Sequence, residues 1–332
     1  MKLIVTGGLG FIGSNYINKI LKNKSIKVYN FDFENYASNQ DQLKKFKKYK
    51  NFVHKKINII DFKKLRKNFN LIKPDRVINF AAETHVDNSI KFSKRFIESN
   101  IMGTFNLLEC TRLFLENTKK LNFRFIQIST DEVYGDLKIY EKKKFSEDSN
   151  FIPSSPYSAS KAASDLLVKA WYRTYNLPII ITHSGNNFGP YQNKEKLIPK
   201  TITNILKGKS IPIYGKGDQI RNWIFVEDNV SALQKIISKG IIGQSYNIGG
   251  KKELSNIDLV KYICILISKI NNKKNTKEYL DLIKFVKDRA GHDVKYSLNS
   301  NKIKKLGWKE ETNFEKALLK TINWYMKRLN EF

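Results

Sequence analysis

Thr6-Gly7-Gly8-Leu9-Gly10-Phe11-Ile12-Gly13 follows the apolar run Lys2 to Thr6 and opens a helical pattern near Phe11. The spacing satisfies G-x-x-G-x-x-G through Gly7, Gly10 and Gly13, and G-x-G-x-x-G through Gly8, Gly10 and Gly13. Glycines there permit a tight turn and let backbone N–H groups approach a pyrophosphate, which the helix N-terminus then stabilises. Such a pattern says little alone; its place between a strand and a helix gives it weight. Asp32 closes the next apolar run, about 20 residues beyond the glycines, where an acid binds an adenosine ribose. Its carboxylate would repel a 2′-phosphate, and no Arg or Lys follows directly, so NAD is expected over NADP.

Working outward, short apolar runs alternate with helical patterns. Strands are predicted at Lys2 to Thr6, Lys27 to Phe31, Phe52 to His54, Arg76 to Phe80, Phe123 to Ser129 and Pro178 to His183, with helices beginning near Phe11, Asp61, Ser93 and Ser158. Buried strands that alternate with helices imply an α/β fold with a doubly wound parallel sheet. Beyond His183 the pattern loosens and Gly185, Gly189, Pro190, Pro199, Pro212, Gly215 and Gly217 punctuate it. A dinucleotide domain over 1–184 and a smaller C-terminal α/β lobe over 185–332 are expected, with about 224–250 returning to the first domain.

The 332 residues leave room for an ample core, and 41% hydrophobic content fits a globular chain. The N-terminus enters a strand at once, so no signal peptide is expected, and no apolar run approaches the roughly 20 residues of a membrane span. Cys110 and Cys264 lack metal or redox spacing and read as buried thiols of a cytoplasmic protein. No cluster has metal-ligand spacing. The formal charge of +29 can mark a nucleic-acid binder. Here the lysines are scattered in pairs along helix faces, as in Leu43-Lys44-Lys45-Phe46-Lys47-Lys48, so neither nucleic acid nor membrane is expected as a partner. Arginine is scarce, which draws notice to Arg221 and Arg289 in loop-like segments, suited to bidentate phosphate recognition.

The chemistry concentrates in Ser129-Thr130-Asp131-Glu132-Val133-Tyr134-Gly135 and Tyr157-Ser158-Ala159-Ser160-Lys161. Tyr157 and Lys161 are four apart, so on a helix they share a face. A phenol is a poor base at neutral pH; a nearby ammonium and an oxidised nicotinamide favour its phenolate. That pair suits alcohol oxidation, with Thr130 a partner for the same hydroxyl. Asp131 and Glu132 would face opposite ways in a strand, and reach one substrate only if the strand has ended there. They supply an acid and a base, the equipment for eliminating water.

Beyond these motifs, FAAETHVDNSI (80–90), STDEVYGDL (129–137), SSPYSASKAASD (154–165), NNFGPYQNKEKLIP (186–199), PIYGKGDQIRNW (212–223), YNIGG (246–250) and DRAGHD (288–293) strongly resemble the extended short-chain dehydrogenase/reductase family. The resemblance covers nearly the whole chain. Within that family, the Thr-Asp-Glu triplet marks the nucleotide-sugar 4,6-dehydratases. It implies a Rossmann-type first domain, bound NAD, and catalytic Thr130, Asp131, Glu132, Tyr157 and Lys161. It places Gly7, Gly10, Phe11, Ile12, Gly13, Asp32, Asn35, Asn58, Ile59, Ala81, Ala82, Glu83, His85, Ser99 and Asn187 at the cofactor, with Tyr157 and Lys161 beside it. Thr84, Thr130, Asn186, Lys196, Leu197, Pro212, Tyr214, Arg221, Asn247, Arg289, His292 and Tyr325 would hold the sugar nucleotide, most of all dTDP-glucose. His85 reads as a packing or cofactor-shell residue. Asn58, Ser38, Asn222 and Ala290 stand where the family usually has Asp, Gly, Asp and Pro, and His183-Ser184-Gly185 replaces Asn-Cys-Ser.

The expected reaction oxidises C4, eliminates water across C5–C6 with Glu132 as base and protonated Asp131 as acid, and returns hydride to C6. A UDP-sugar 4,6-dehydratase, a 4-epimerase or a decarboxylase is the nearest alternative, and a nucleic-acid-binding protein on a dinucleotide fold the remotest. Apolar stripes on the helices near Ser93 to Glu116 and Ser158 to Tyr175, which pair in similar proteins, imply a homodimer.

Overall fold

The computed structural model describes residues 1–118, 120–272 and 275–330. The first half of the chain contributes six strands: β1 (Lys2–Thr6), β2 (Lys27–Asp32), β3 (Phe52–Lys56), β4 (Arg76–Asn79), β5 (Arg124–Thr130) and β6 (Ile179–Ser184). The rest are β7 (Asn186–Phe188), β8 (Ile211–Tyr214), β9 (Ile220–Phe225), β10 (Ser245–Ile248), β11 (Lys252–Ser255) and β12 (Ile283–Val286). Seven form one parallel sheet in the order β10-β6-β5-β4-β1-β2-β3. The direction of winding reverses between β1 and β4, so a crevice opens at their carboxyl ends. The glycine turn leaves β1 there.

The central strands carry continuous apolar runs because helices cover both faces. Leu3, Val5, Ile78, Ile126 and Ile180 face one core, and Ile4, Val77, Phe125, Ile179 and Ile181 the other. Each such side chain withdrawn from water contributes about 1.5–3 kcal/mol, which sets the strand register and hence the strand ends that carry the site. β10 pairs with β6, Asn247 opposite His183, so the chain re-enters the large sheet after leaving it. The expected helix near Ser93 is interrupted: α-helix at Ser93–Phe96, one π-helical stretch at Ile97–Met102, and α-helix again over Gly103–Thr118. Asn100 within the π stretch accepts from Glu83 N–H at 2.8 Å and donates to Ser160 Oγ at 2.8 Å. The irregular turn thus ties the loop after β4 to the helix bearing Tyr157.

The smaller lobe holds a three-stranded sheet β11-β9-β7 and the parallel pair β12-β8. Helices Leu197–Leu206, Asn256–Ile270 and Phe314–Asn330 enclose its own core around Phe188, Ile202, Phe225, Ile263 and Leu318. Among the described residues, no helix is long and apolar enough to cross a membrane and no His/Cys/Asp/Glu group could hold a metal. Cys110 and Cys264 are buried free thiols.

Candidate active site

Three cavities run together along the carboxyl ends of the large sheet and under the smaller lobe. The outer one on the β2 side, about 380 Å³, is lined by Gly7, Gly10, Asp32, Asn35, Ser38, Asn58, Ile59, Ala81, Ala82, Glu83 and Ser99. The central one, about 270 Å³, takes in Gly7, Gly10, Phe11, Ile12, Gly13, Ala82, Thr130, Asp131, Glu132, Tyr157, Lys161 and Asn187. The third, about 430 Å³, lies between the lobes and shares Thr84, Glu132, Asn186, Asn187 and Lys196 with the central one. It is also lined by Leu197, Pro212, Tyr214, Arg221, Arg289 and His292.

The outer and central cavities fit a dinucleotide. Gly7 sits at φ +66°, and a Cβ there would lie 2.6 Å from the backbone of Ala81; one on Gly13 would meet Gly7 O at 2.5 Å. Only glycine allows so close a cradle. Asp32, buried at the end of β2, accepts from Leu9 N–H (2.9 Å), Glu34 N–H (2.9 Å) and Ser38 Oγ (2.7 Å). The turn is thereby locked before any ligand arrives. Ser38 thus anchors Asp32, while Asn58 accepts from Ile60 N–H at 3.1 Å and stays at the wall.

At the centre, β5 ends at Thr130 and a single 3₁₀ turn, Asp131–Tyr134, follows. Thr130 caps that turn, its Oγ1 accepting from Glu132 N–H at 3.3 Å. Ending the strand there lets both carboxylates line one cavity, the condition their adjacency required. Burial, and then the neighbouring Glu132, push the Asp131 carboxyl up to about 8. Its Oδ2 is buried with no hydrogen-bond partner among the described residues, the state of a protonated acid awaiting an acceptor. Glu132 is also raised, by burial and then Asp293, while Arg221, Lys196 and Arg289 act to lower it. Burial raises both carboxyls; Arg221 counters it at both, and Lys196 and Arg289 counter it further at Glu132, which favours Glu132 as the base and Asp131 as the acid.

Tyr157 and Lys161 lie on helix Pro156–Tyr175, whose first turn is closed by a Ser155/Ser158 capping box. Burial shifts both groups toward their neutral forms. Lys161 Nζ donates to Ile128 O at 2.7 Å, and burial lowers its pKa. Burial, then Glu132, hold the Tyr157 phenol above its ordinary value, with a Thr130 hydrogen bond acting the other way. Without a cationic cofactor beside it, this phenol keeps its proton.

Three assignments are corrected. His85 lines the interlobe cavity and neither cofactor cavity; its Nδ1 accepts from Asn88 N–H at 3.3 Å and its Nε2 lies 3.7 Å from Glu195. Asn247 is wholly buried in β10, where Oδ1 accepts from Tyr134 Oη (2.8 Å) and Nδ2 donates to Phe145 O (3.0 Å). Asn256, at the start of the next helix, lines the cavity instead. Tyr325 is buried and donates to Gln192 O, while Tyr296 lines the wall. The Asn256 signal was local, since Ser255 is the N-cap of a helix and places its successor at the rim. Asp87, Gln192, Glu195 and Asp293 also line the cavity; each lies within a quoted motif but was given no role there.

Arg289, Arg221 and His292 already have partners within the protein. Arg289 binds Asp87 (Nε–Oδ1 2.6 Å), Tyr214 Oη donates to Asp87 at 3.1 Å, and the guanidinium lies 5.1 Å from the Tyr214 ring. Arg221 donates to Asp293 O at 2.8 Å and lies over Tyr296 at 4.3 Å. His292 Nδ1 is 2.7 Å from Asp288, and its pKa is lowered, chiefly by burial. Asn222 Nδ2 donates to Gly250 O at 2.8 Å, holding β9 beside the returning segment.

Residues 4–321 match the GDP-mannose 4,6 dehydratase family model. The dTDP-glucose 4,6-dehydratase of Haemophilus influenzae is 48% identical, over 98% of each chain. Escherichia coli dTDP-glucose 4,6-dehydratase 1 is 47% identical over 98% of this chain and 93% of its own. The crystal structure of DesIV, a dTDP-glucose 4,6-dehydratase from Streptomyces venezuelae with NAD bound, superposes with a TM-score of 0.90 at 35% identity. That match covers 100% of this chain and 99% of DesIV.

Proposed function

The chain belongs to the GDP-mannose 4,6 dehydratase family, and on that premise we propose that it converts dTDP-glucose to the 4-keto-6-deoxy sugar with bound NAD. One observation carries the reading: the acid–base turn Asp131–Glu132 and the pair Tyr157/Lys161 line one chamber, between a dinucleotide cradle and a cationic cavity. A simple alcohol dehydrogenase has no use for that carboxyl pair.

Bound NAD supplies the acceptor for hydride from C4 and the donor that returns it to C6. Tyr157 removes the C4 hydroxyl proton, and Thr130 bonds the same oxygen. The cofactor's positive charge offsets the burial that otherwise keeps the phenol protonated. Once C4 is a ketone, the C5 proton is acidic and Glu132 takes it. Asp131 gives its proton to the departing C6 hydroxyl, releasing water. Glu132 then protonates C5. Arg221, Arg289 and His292 bind the diphosphate, and Tyr214 stacks on the pyrimidine. Residues 1–184, with the returning stretch, hold the cofactor; the rest holds the sugar nucleotide. Two buried thiols suit a cytoplasmic enzyme.

A homodimer is part of the same reading. Phe92, Ile97, Met102 and Leu166, each about half exposed, crowd the outer face formed by helices Gly103–Thr118 and Pro156–Tyr175 and the turns before them. A four-helix contact would cover them; a monomer in sedimentation at micromolar concentration would contradict it.

The test follows the hydride. A mixture of C4-deuterated and unlabelled dTDP-glucose should yield product with deuterium at C6 of the same molecule, and solvent deuterium should enter at C5. A 4-epimerase would return the label to C4. Label scrambled between molecules would refute the mechanism. Parallel assays with UDP-glucose measure how far one methyl group, worth about 1–3 kcal/mol, sets the choice of base.

A further inference from the structure

Behind the reaction chamber, reaching the central cavity only through Ser129, lies a buried polar cluster that the mechanism leaves unused. His183 on β6 and Asp165 on helix Pro156–Tyr175 are both fully buried, with Nε2 and Oδ2 3.1 Å apart. Ser129 Oγ donates to the same Oδ2 at 2.6 Å, while Asp165 Oδ1 has no hydrogen-bond partner among the described residues. On the other side of the imidazole, Nδ1 is 3.1 Å from Tyr134 Oη. The rings of Tyr134 and Phe151 pack against it, with centroids at 5.0 and 5.7 Å.

Proton counting decides the state of this cluster. Asn247 Nδ2 donates to Phe145 O, so its Oδ1 faces Tyr134 and accepts that residue's single proton. Tyr134 Oη can then only accept from His183, so Nδ1 carries a hydrogen. A second proton must lie on the line between Nε2 and Oδ2, since two bare acceptors at 3.1 Å would repel. The pair therefore holds both protons and is neutral as a unit.

We propose that His183 and Asp165 form a proton-sharing pair that positions the hydride helix against the acid–base turn and keeps the ground behind Tyr157 electrically neutral. Its placement supports the role. Ser129 adjoins Thr130, Tyr134 ends the turn bearing Asp131 and Glu132, and Asp165 follows Lys161 by one helical turn and Tyr157 by two. The imidazole–carboxylate pair thus joins all three elements that carry the reacting groups. A bare Asp165 carboxylate would oppose ionisation of Tyr157. The charged and titratable groups facing the pair are Lys161 from its own helix, Tyr134 and Asp131 from the turn, Glu147 behind Asn247, and Lys169 over Phe151.

The consequence for catalysis rests on Tyr157 being the base at C4; the proton count does not. In ¹⁵N-histidine-labelled protein without substrate, long-range ¹H–¹⁵N correlation, assigned by its loss in His183→Gln, should show Nδ1 protonated at neutral pH. A bare Nδ1 would overturn the proposal, whatever the dehydration assay gives. In pH profiles of the single-turnover NADH transient formed from dTDP-glucose on rapid mixing, His183→Gln leaves the carboxylate bare. It should shift the limb for Tyr157 ionisation alkaline by about one pH unit, lowering the C4 oxidation rate about tenfold below that limb, with the half-saturating dTDP-glucose concentration unchanged. Asp165→Asn and the double variant remove the charge and should keep the wild-type limb. A purely structural role predicts damage in all three, and that pattern, or an unshifted His183→Gln, would overturn the proposal. Should His183→Gln fail to fold, Asp165→Asn alone decides: a limb moved to lower pH would mean the wild-type carboxylate was bare.

Discussion

Asp32 and Asp87 are both carboxylates on a cavity wall, and they are held in opposite ways. Asp32 takes its hydrogen bonds from Leu9, Glu34 and Ser38, all within 23 residues of it in the chain. Asp87 takes its own from Tyr214 and Arg289, 127 and 202 residues away in the other lobe. The dinucleotide crevice is thus closed by short-range backbone geometry and stands ready for its ligand. The interlobe cavity is assembled from distant side chains, and its two arginines are already engaged. A ligand in the first would meet fixed donors; a diphosphate bound as proposed in the second would compete with Asp87 for Arg289. Where the two cavities meet, Glu132 belongs to both and Asp131 to the central one.

That junction should be the most sensitive point. Asp131→Asn keeps the shape but gives no proton, and Glu132→Gln accepts none. Each should slow dehydration by about 10²–10⁴-fold, while C4 oxidation, followed as NADH absorbance, suffers less. Wild-type turnover in both would make them ordinary turn residues.

The rigid side breaks next. Ala at Gly7 sets a Cβ 2.6 Å from the Ala81 backbone at positive φ, a strain of about 1–3 kcal/mol. Titration calorimetry should show NAD affinity reduced by about 5- to 150-fold. Unchanged affinity would mean that the cradle yields as readily as the other cavity.

Acid titration sharpens the view of the junction. Asp131 must be protonated to act, and its carboxyl is held up to about 8. Elimination-limited turnover should therefore fall as pH rises through that value, by up to about tenfold for each further unit. Glu132 must be ionised, so its raised pKa imposes a fall on the acid side. Turnover flat through pH 9 would show that Asp131 gives no proton.

The smallest effect is expected on the adjustable side. Asp87→Asn frees Arg289 and removes a negative charge from beside the diphosphate. The KM for dTDP-glucose should drop about two- to fivefold, the worth of a partly exposed ion pair, with kcat unchanged. A rise in KM would mean that Asp87 holds Arg289 in its binding pose, making both cavities preorganised.

Much of the dinucleotide side was legible without coordinates. The glycine turn, Asp32 and the spacing of Tyr157 and Lys161 depend on contacts within one strand–turn–helix unit, where chain distance translates directly into geometry. The end of β5 could be inferred because two adjacent carboxylates demanded it. The same reasoning misplaced Asn247, Tyr325 and His85, whose directions depend on how separate segments dock. Asn247 sits in a strand that rejoins the large sheet, which turns its amide toward Tyr134 and leaves Asn256 at the rim.

What the amino-acid sequence determined by itself was therefore the alternation of strand and helix, the cofactor cradle and the chemical identity of the reacting groups. Each is set by periodicity and by local backbone sterics. Only the tertiary structure decided which cations are pre-paired, that burial raises both Asp131 and Glu132 while cations gather beside Glu132, and that His183 meets Asp165 behind Tyr157. Desolvation and charge coupling depend on what surrounds a group from every side, and those neighbours come from parts of the chain whose separation in sequence predicts nothing about their approach.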